Sequence, residues 1–201
     1  LRGGSELIGD HVGIYANQGS FPDGTTGHVI QASGATLTVI EGMLDESLAI
    51  YAAGNVTLGG SVTVEAGESV TIGAGFNNIT PLSQAFGDRT ITVASLATNG
   101  SPVSLSATGS IEASIGDASS ITANIANSSS GGIVILHEGS QTPATLTLTD
   151  NATTNSAVSF SHTGSDLVLT ANHAFLTQDG QGDVFVAAPQ NSLTVSGSPS
   201  L

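Results

Sequence analysis

The sequence predicts an all-β protein, a parallel β-solenoid of about nine or ten coils of roughly 20 residues with loop insertions. Three observations predict this fold class: a composition rich in β-branched residues and glycine, short and evenly spaced strand phrases, and one phrase written three times within residues 53–75. In a solenoid each coil is the hydrogen-bonding template for the next, so a repeated phrase is expected.

The composition favours strands and tight corners. Of 201 residues 39% are hydrophobic, mostly Val, Ile, Leu and Ala, and 26 are glycine. β-branched residues favour strands, whereas Gly and Asn favour turns. The chain has no cysteine, which excludes disulfides and cysteine metal sites. The length suits one domain spanning 1–201. Because the chain opens on LRGG, we expect it to be a segment of a longer protein.

The charge is strongly acidic. Sixteen acidic residues face two arginines and no lysine, giving a net charge of −14. Nucleic-acid binding requires basic clusters, so nucleic acid is excluded as a partner. No apolar run approaches the ~18 residues that span a bilayer, so no membrane insertion is expected. We interpret the charge as a source of solubility, with divalent-cation binding as the alternative.

Short β-rich phrases recur along the whole chain, typically starting six to twelve residues apart. They are VGIY (12–15), HVIQ (28–31), TLTVIE (36–41), LAIY (48–51), NVTL (55–58), SVTVE (61–65), SVTI (69–72), TITVA (90–94), PVSLSA (102–107), SIEASI (110–115), SITANI (120–125), GIVILH (132–137), TLTLT (145–149), AVSFS (157–161), DLVLT (166–170), DVFVA (183–187) and SLTV (192–195). Such spacing is typical of a sandwich, a barrel or a solenoid.

The threefold phrase decides among these folds. VTL (56–58), VTV (62–64) and VTI (70–72) are separated by glycines and small residues, which are too few for most hairpins. Their two apolar residues point to one face and the threonine to the other. From Leu48 to Val70, three strand steps cover 22 residues. We therefore predict three short strands per coil, with Val, Leu and Ile inside and Thr and Ser outside.

Two irregular stretches, 15–27 and 73–89, interrupt the rhythm and are predicted to be loops. Loops that project from a solenoid often carry binding sites. The candidate partner-contact residues are Phe21, Asp23, Phe76, Asn77, Asn78, Phe86 and Arg89. The alternative interpretation is that these are packing or capping loops whose phenylalanines fill the core.

One segment offers a candidate calcium site. Asp179 and Asp183 flank Gly-Gln-Gly, so two carboxylates are separated by flexible residues, as in a Ca²⁺ loop. The stretch lacks the repeated nonapeptide of calcium-binding β-rolls and the twelve-residue EF-hand pattern. An ordinary glycine-rich turn is the competing interpretation, and no other cofactor is predicted.

The sequence offers little support for catalysis, and we predict that the protein is not an enzyme. Paired carboxylates such as Glu65 and Glu68, or Glu112 and Asp117, lack the Trp and Tyr platforms that hold sugar rings. His162 follows Ser161, but neighbouring residues of a strand point to opposite faces, so no Ser-His-Asp triad is assembled. All five histidines are expected at the surface rather than as ligands.

Residues 47–75, SLAIYAAGNVTLGGSVTVEAGESVTIGAG, resemble the haemagglutinin repeats of filamentous-haemagglutinin-type adhesins, which are two-partner-secretion exoproteins. Residues 108–135 have a similar texture. The resemblance implies a right-handed, single-stranded parallel β-helix, export from the cell, and adhesion between cells or to surfaces. It implies no catalytic residues.

The sequence therefore predicts a structural or interaction protein: a secreted or cell-surface solenoid rod of an adhesin or extracellular fibre. Its expected partners are other proteins, surface glycans, or copies of itself end to end. Two alternatives remain open. One is a carbohydrate-binding or carbohydrate-cleaving β-helix of tailspike type, and the other is a subunit of a self-assembling extracellular filament.

Overall fold

The computed structural model describes residues 1–9, 11–16, 27–40, 47–65, 69–77, 80–81, 88–126, 129–154, 156–177 and 182–201. Within these ranges the regular structure is entirely β, with no helix. The strands are β1 (Glu6–Gly9), β2 (Val12–Ala16), β3 (Val29–Gln31), β4 (Thr36–Val39), β5 (Ser47–Ala52), β6 (Val56–Val64), β7 (Ser69–Ala74), β8 (Phe76–Asn77), β9 (Thr80–Pro81), β10 (Ile91–Ala97), β11 (Val103–Ala107), β12 (Ile111–Ile115), β13 (Ser120–Ile125), β14 (Ile133–His137), β15 (Thr145–Asp150), β16 (Ala157–His162), β17 (Leu167–Leu169), β18 (His173–Thr177), β19 (Asp183–Ala187) and β20 (Leu193–Val195).

Two long parallel sheets organise the chain. Sheet A has the order β1-β4-β6-β10-β12-β14-β16-β19, with β3 also pairing with β6, and sheet B has the order β18-β15-β13-β11-β7-β5-β2. The chain therefore visits A and B in alternation, and each strand pairs with its counterpart one visit later. β17 and β20 form a small third parallel sheet, while β8 and β9 pair antiparallel. The predicted all-β class is confirmed, and the alternation is compatible with a parallel solenoid.

The register confirms the 22-residue step but not three strands per coil. Leu48 pairs with Val70. Val56 and Val62, however, belong to one strand, β6, whose two halves pair with β3 and β4. The glycines between them continue the strand instead of turning it. A Cβ on Gly60 would lie 2.0 Å from the carbonyl oxygen of Ala35, so glycine is required there for close approach of the neighbouring strand.

The core is built from rows of inward-pointing apolar residues, and each strand contributes one residue to a given row. Inward and outward residues alternate along the strands, as predicted. One row of sheet B is Ile14, Ile50, Ile72, Leu105, Ala123, Leu148 and Phe175. A facing row of sheet A is Leu58, Val93, Ala113, Ile135, Phe160 and Val186. The buried members of both rows belong to one hydrophobic cluster.

The sheets have fewer levels than the nine or ten coils predicted. The path of sheet A crosses eight strands within the described residues. Repeat length explains the difference, because it is not constant. Val103 pairs with Ile121, 18 residues later. Leu146 pairs with His173, 27 residues later. The long repeat uses chain that a uniform repeat of roughly 20 residues would have used for further levels.

Side-chain size follows repeat length. The short repeat has Ala113 and Ala123 in the facing rows, whereas the long repeat has Phe160 and Phe175, whose ring centroids are 6.0 Å apart. Strand β17 is inserted in that long repeat and buries Leu167 and Leu169. The interior is therefore wider in the last repeats, and aromatic side chains fill the added volume.

Several carboxylates join one repeat to a later one. In each case an aspartate oxygen accepts a hydrogen bond from the backbone N–H of a serine further along the chain. The three pairs are Asp88 with Ser129, Asp117 with Ser140, and Asp166 with Ser192. The serine hydroxyl also donates in the first two pairs, at 2.6 and 2.8 Å. These acidic residues therefore act as fixed acceptors between repeats and do not serve solubility alone.

Replacing buried Asp150 with Asn is expected to lower the free energy of unfolding by about 1–3 kcal/mol. Its Oδ1 accepts from Ala152 N at 2.9 Å and its Oδ2 from Ala157 N at 3.0 Å, so the carboxylate closes the turn between β15 and β16. An amide can accept only one of these bonds, because its NH₂ group would face the other N–H. Urea denaturation followed by circular dichroism measures the change.

The matched control is Glu112→Gln, which removes one negative charge from an exposed position of β12. It is expected to change stability by less than about 0.5 kcal/mol. Equal effects of the two substitutions would show that net charge, and not the two backbone hydrogen bonds, accounts for the role of Asp150.

Candidate binding surface

The outer face of sheet B is uncharged along its two central rows. The first row is Gly13, Ala49, Thr71, Ser104, Thr122, Thr147 and Ala174. The second row is Tyr15, Tyr51, Gly73, Ser106, Asn124, Thr149 and Leu176. We call these fourteen residues the outer B face. It offers hydroxyl and amide groups on a sheet surface, with an aromatic pair at one end.

The aromatic pair is formed by Tyr15 on β2 and Tyr51 on β5, which are register partners. Their ring centroids are 5.9 Å apart and their planes are inclined by 17°. Tyr15 is 53% exposed and Tyr51 is half-buried. A Cβ on Gly13 would lie 2.9 Å from the Tyr15 ring, and one on Gly73 would lie 2.6 Å from the Tyr51 ring. Both rings therefore lie over glycines, in space that any larger residue would fill.

Phe76 extends the aromatic row beyond Tyr51 on the same side of the sheet, since a Cβ on Gly73 would meet both rings. Its ring centroid is 5.9 Å from that of Tyr51 and its side chain is buried. Phe76 therefore packs against Tyr51 next to Gly73, and both its predicted contact role and the packing alternative stay predictions. Burial, together with the neighbouring phenol of Tyr15, raises the pKa of Tyr51 above its ordinary value of 10.0.

The sequence contains a repeat that indicates this pair. Ile-Tyr-Ala occurs at residues 14–16 and again at 50–52, and these two triplets pair residue for residue. The repeated tripeptide could have predicted an aromatic contact between coils once the register was known. Tyr15 ends the predicted strand phrase 12–15 and begins the irregular stretch 15–27, and the structure continues β2 through Tyr15 to Ala16.

Three of the remaining predicted site residues lie in the described ranges, and each is in a different part of the fold. Asn77 lies in β8, inside the stretch 73–89, and pairs with Thr80. Arg89 is half-buried, and its backbone N–H donates to Thr108 Oγ1 at 3.2 Å. Asp183 is exposed at the start of β19. The predicted residues outside the described ranges are Phe21, Asp23, Asn78, Phe86 and Asp179. The calcium site and the contact role of these residues stay predictions.

The histidine prediction is wrong for three of the five. His137, His162 and His173 are buried, and each occupies an inward position that other strands fill mainly with aliphatic residues. His137, for example, pairs with Ile115 on one side and His162 on the other. A histidine can occupy such a position when its ring nitrogens have partners.

The partners of these histidines are specific. The Nδ1 atoms of His137 and His162 are 2.8 Å apart, and Nε2 of His162 is 2.9 Å from Ser165 Oγ. His173 Nε2 is 3.0 Å from the carbonyl oxygen of Pro143, and its Nδ1 accepts from the N–H of Thr170. Ser165 is thus the serine that contacts His162, whereas Ser161, as predicted, lies on the opposite face of β16.

The pKa values follow from this burial. Loss of solvent, then the nearby His162, lowers the pKa of His137 from 6.5 to about 4, against a smaller opposing effect of Asp117. Burial also lowers the pKa of His162. Both imidazoles are neutral at pH 7, and the cluster stabilises the corner that follows β14 and β16.

The described part of the chain contains neither a group of metal ligands nor a membrane-spanning helix. No group of three or more His, Asp or Glu side chains there is arranged to hold a metal ion. No helix there has the length and apolarity needed to cross a membrane.

Comparison with known proteins gives no relative. No protein-family model matches the chain, and neither curated proteins nor solved structures match it. The function of the chain is therefore inferred from its fold and from the surfaces described above.

Proposed function

We propose that the chain is a closed, right-handed β-solenoid rod of a secreted or cell-surface protein, and that it attaches the cell to surfaces or to other cells. The proposal includes the resemblance of residues 47–75 to filamentous-haemagglutinin-type adhesins. The protein acts as a binding support rather than as an enzyme, and its specificity lies in what its faces and loops contact.

The observation that carries the proposal is the parallel, in-register stacking of strands over eight levels of sheet A and seven of sheet B. With about 4.8 Å between neighbouring strands, eight levels span about 34 Å along the stacking direction. Such stacking places the outward residues of successive strands in register with one another. A stiff support of this kind suits attachment, because rows of side chains reach a partner together.

The outward composition supports an extracellular setting. The outer B face carries Ser, Thr, Asn, Gly and Ala instead of the Lys and Glu that cover most cytoplasmic domains. Identical charges on stacked strands would repel one another across a single strand spacing, whereas hydroxyl groups do not. The absence of cysteine also leaves the rod independent of the redox state of its surroundings.

Attachment can be tested with beads coated with the folded chain and incubated with a panel of bacterial and epithelial cells. We expect adhesion that soluble chain competes away. Beads coated with the same chain after thermal unfolding keep the charge of −14 and control for non-specific contact. Equal adhesion of both bead types, or none, would refute the proposal. Repeated release of reducing ends from a glycan would replace it with an enzyme of tailspike type.

A further inference from the structure

We propose that Tyr15 and Tyr51 form a binding site for neutral saccharides on the outer B face. The inference deepens the proposed attachment function, on which it rests for its biological setting, and names its partner class. The partner is an uncharged glycan whose pyranose rings pack on the tyrosine pair while its hydroxyl groups bond to the neighbouring polar residues.

The geometry of the tyrosine pair is the first observation that supports a saccharide site. The two planes differ by only 17° and the ring centroids, on adjacent strands, are 5.9 Å apart. The rings lie over Gly13 and Gly73, and Phe76 packs against Tyr51 on the same side of the sheet. A rigid aromatic surface of this kind loses little conformational entropy on binding. Its electron-rich faces attract the polarised C–H groups on the apolar side of a sugar ring.

The exposure of Tyr15 is the second observation that supports the site. Tyr15 is 53% exposed although it lies in a strand of a protein with only two tyrosines and no tryptophan. Tyrosine combines a large apolar surface with a hydroxyl group, and it is enriched where proteins bind partners. Core packing does not require Tyr51, because the inward residues of β5 are Leu48, Ile50 and Ala52.

Charge selects the class of saccharide. The two central rows of the outer B face carry no charge, and Ala49, Thr71 and Ser106 surround the tyrosines with small or hydroxyl-bearing side chains. The chain has a net charge of −14 and only two arginines. Uronic-acid and sulfated glycans would therefore be repelled, with no cationic partner on this face, whereas a neutral glycan is not.

The tyrosines themselves supply the assay, because intrinsic fluorescence of this chain comes from Tyr15 and Tyr51 alone. Titration with cellohexaose, mannohexaose and xylohexaose is expected to change the tyrosine emission saturably for at least one of them. Polygalacturonate serves as the acidic probe and is expected to cause no saturable change. Isothermal calorimetry provides the dissociation constants independently of fluorescence.

Three variants test the site. Tyr15→Ala is expected to raise the dissociation constant about tenfold, as expected for truncation of a central aromatic contact. Tyr15→Phe retains the ring and Tyr51 as the fluorophore, and it is expected to lose less than Tyr15→Ala. Phe185→Ala, which removes an exposed aromatic ring from the outward side of sheet A, is the matched control and should bind as the parent does.

The outcomes separate this inference from the proposed function. No binding of any neutral oligosaccharide, or equal loss in Tyr15→Ala and Phe185→Ala, would overturn the inference while bead adhesion could still hold. Saccharide binding by a chain whose beads do not adhere would refute attachment and leave the site standing. Stronger binding of polygalacturonate than of the neutral probes would also overturn the inference.

Discussion

Replacing Phe160 with alanine is expected to lower the free energy of unfolding by about 3–5 kcal/mol, the largest effect of any single truncation considered for this protein. Phe160 is fully buried on β16, where its ring lies between His137 and Phe175, with centroids 6.2 and 6.0 Å away. Removing the ring costs its transfer free energy and leaves a cavity. The rigid parallel strands on both sides cannot move in to close that cavity.

The matched control is Phe185→Ala. Phe185 is on β19, the next strand of sheet A, but it points outward and is 60% exposed. Its truncation is expected to change stability by less than about 0.5 kcal/mol. Urea denaturation of both variants by far-UV circular dichroism measures the difference. Comparable losses would mean that sheet A does not have the inside and outside described here.

Acidification from pH 6.5 to about pH 4 is expected to remove about 3 kcal/mol of stability through His137. In the unfolded chain its pKa has the ordinary value of 6.5, whereas in the folded chain burial beside His162 lowers it to about 4. A lowered folded pKa means that protons bind the unfolded chain more tightly. The stabilising contribution is therefore complete above pH 6.5 and is lost as the pH falls through this window.

Other groups titrate nearby, so the test requires a variant. Asp117 faces His137, and the bonds from Ser140 lower the pKa of its carboxyl below 3.8, so its own contribution is lost only at more acidic pH. The remaining carboxylates are common to the parent and to a histidine variant, so a comparison of the two isolates the histidine contribution. In the double variant His137→Ile, His162→Leu, the isoleucine copies Ile115, the register neighbour of His137.

Unfolding free energies of parent and double variant, measured in urea at pH 7, 6, 5 and 4, provide the comparison. The variant is expected to gain about 3 kcal/mol relative to the parent between pH 7 and pH 4. Parallel pH profiles would show that the histidine cluster does not account for acid sensitivity.

Local patterns predicted the strands because each strand is specified by its own alternation. The phrases at 102–107, 110–115 and 120–125 match β11, β12 and β13 within one residue at each end. The step from Leu48 to Val70 was likewise readable, since a stacked fold must place like residues in register. What could not be read was whether Gly59 and Gly60 turn the chain. Glycine serves both for a corner and for close approach of a neighbouring backbone.

The candidate surface was harder to predict for a related reason. Tyr15 and Tyr51 are 36 residues apart, and only the pairing of β2 with β5 makes them neighbours. Phe76 was assigned to a contact loop because its sequence surroundings are irregular, yet it lies buried against Tyr51. The buried histidines were missed because His137 and His162 satisfy each other, a contact that neither local sequence contains.

By itself, the sequence determined the class of structure: all-β, built of short parallel strands with aliphatic residues inside and hydroxyl-bearing residues outside. Periodicity of two is a local property, and composition fixes which face is buried. The tertiary structure alone decided the two-sheet alternation, the widening from Ala113 to Phe160, and the tyrosine pair. Those features depend on which strands become neighbours. The register and the lengths of all the repeats along the chain decide which strands these are.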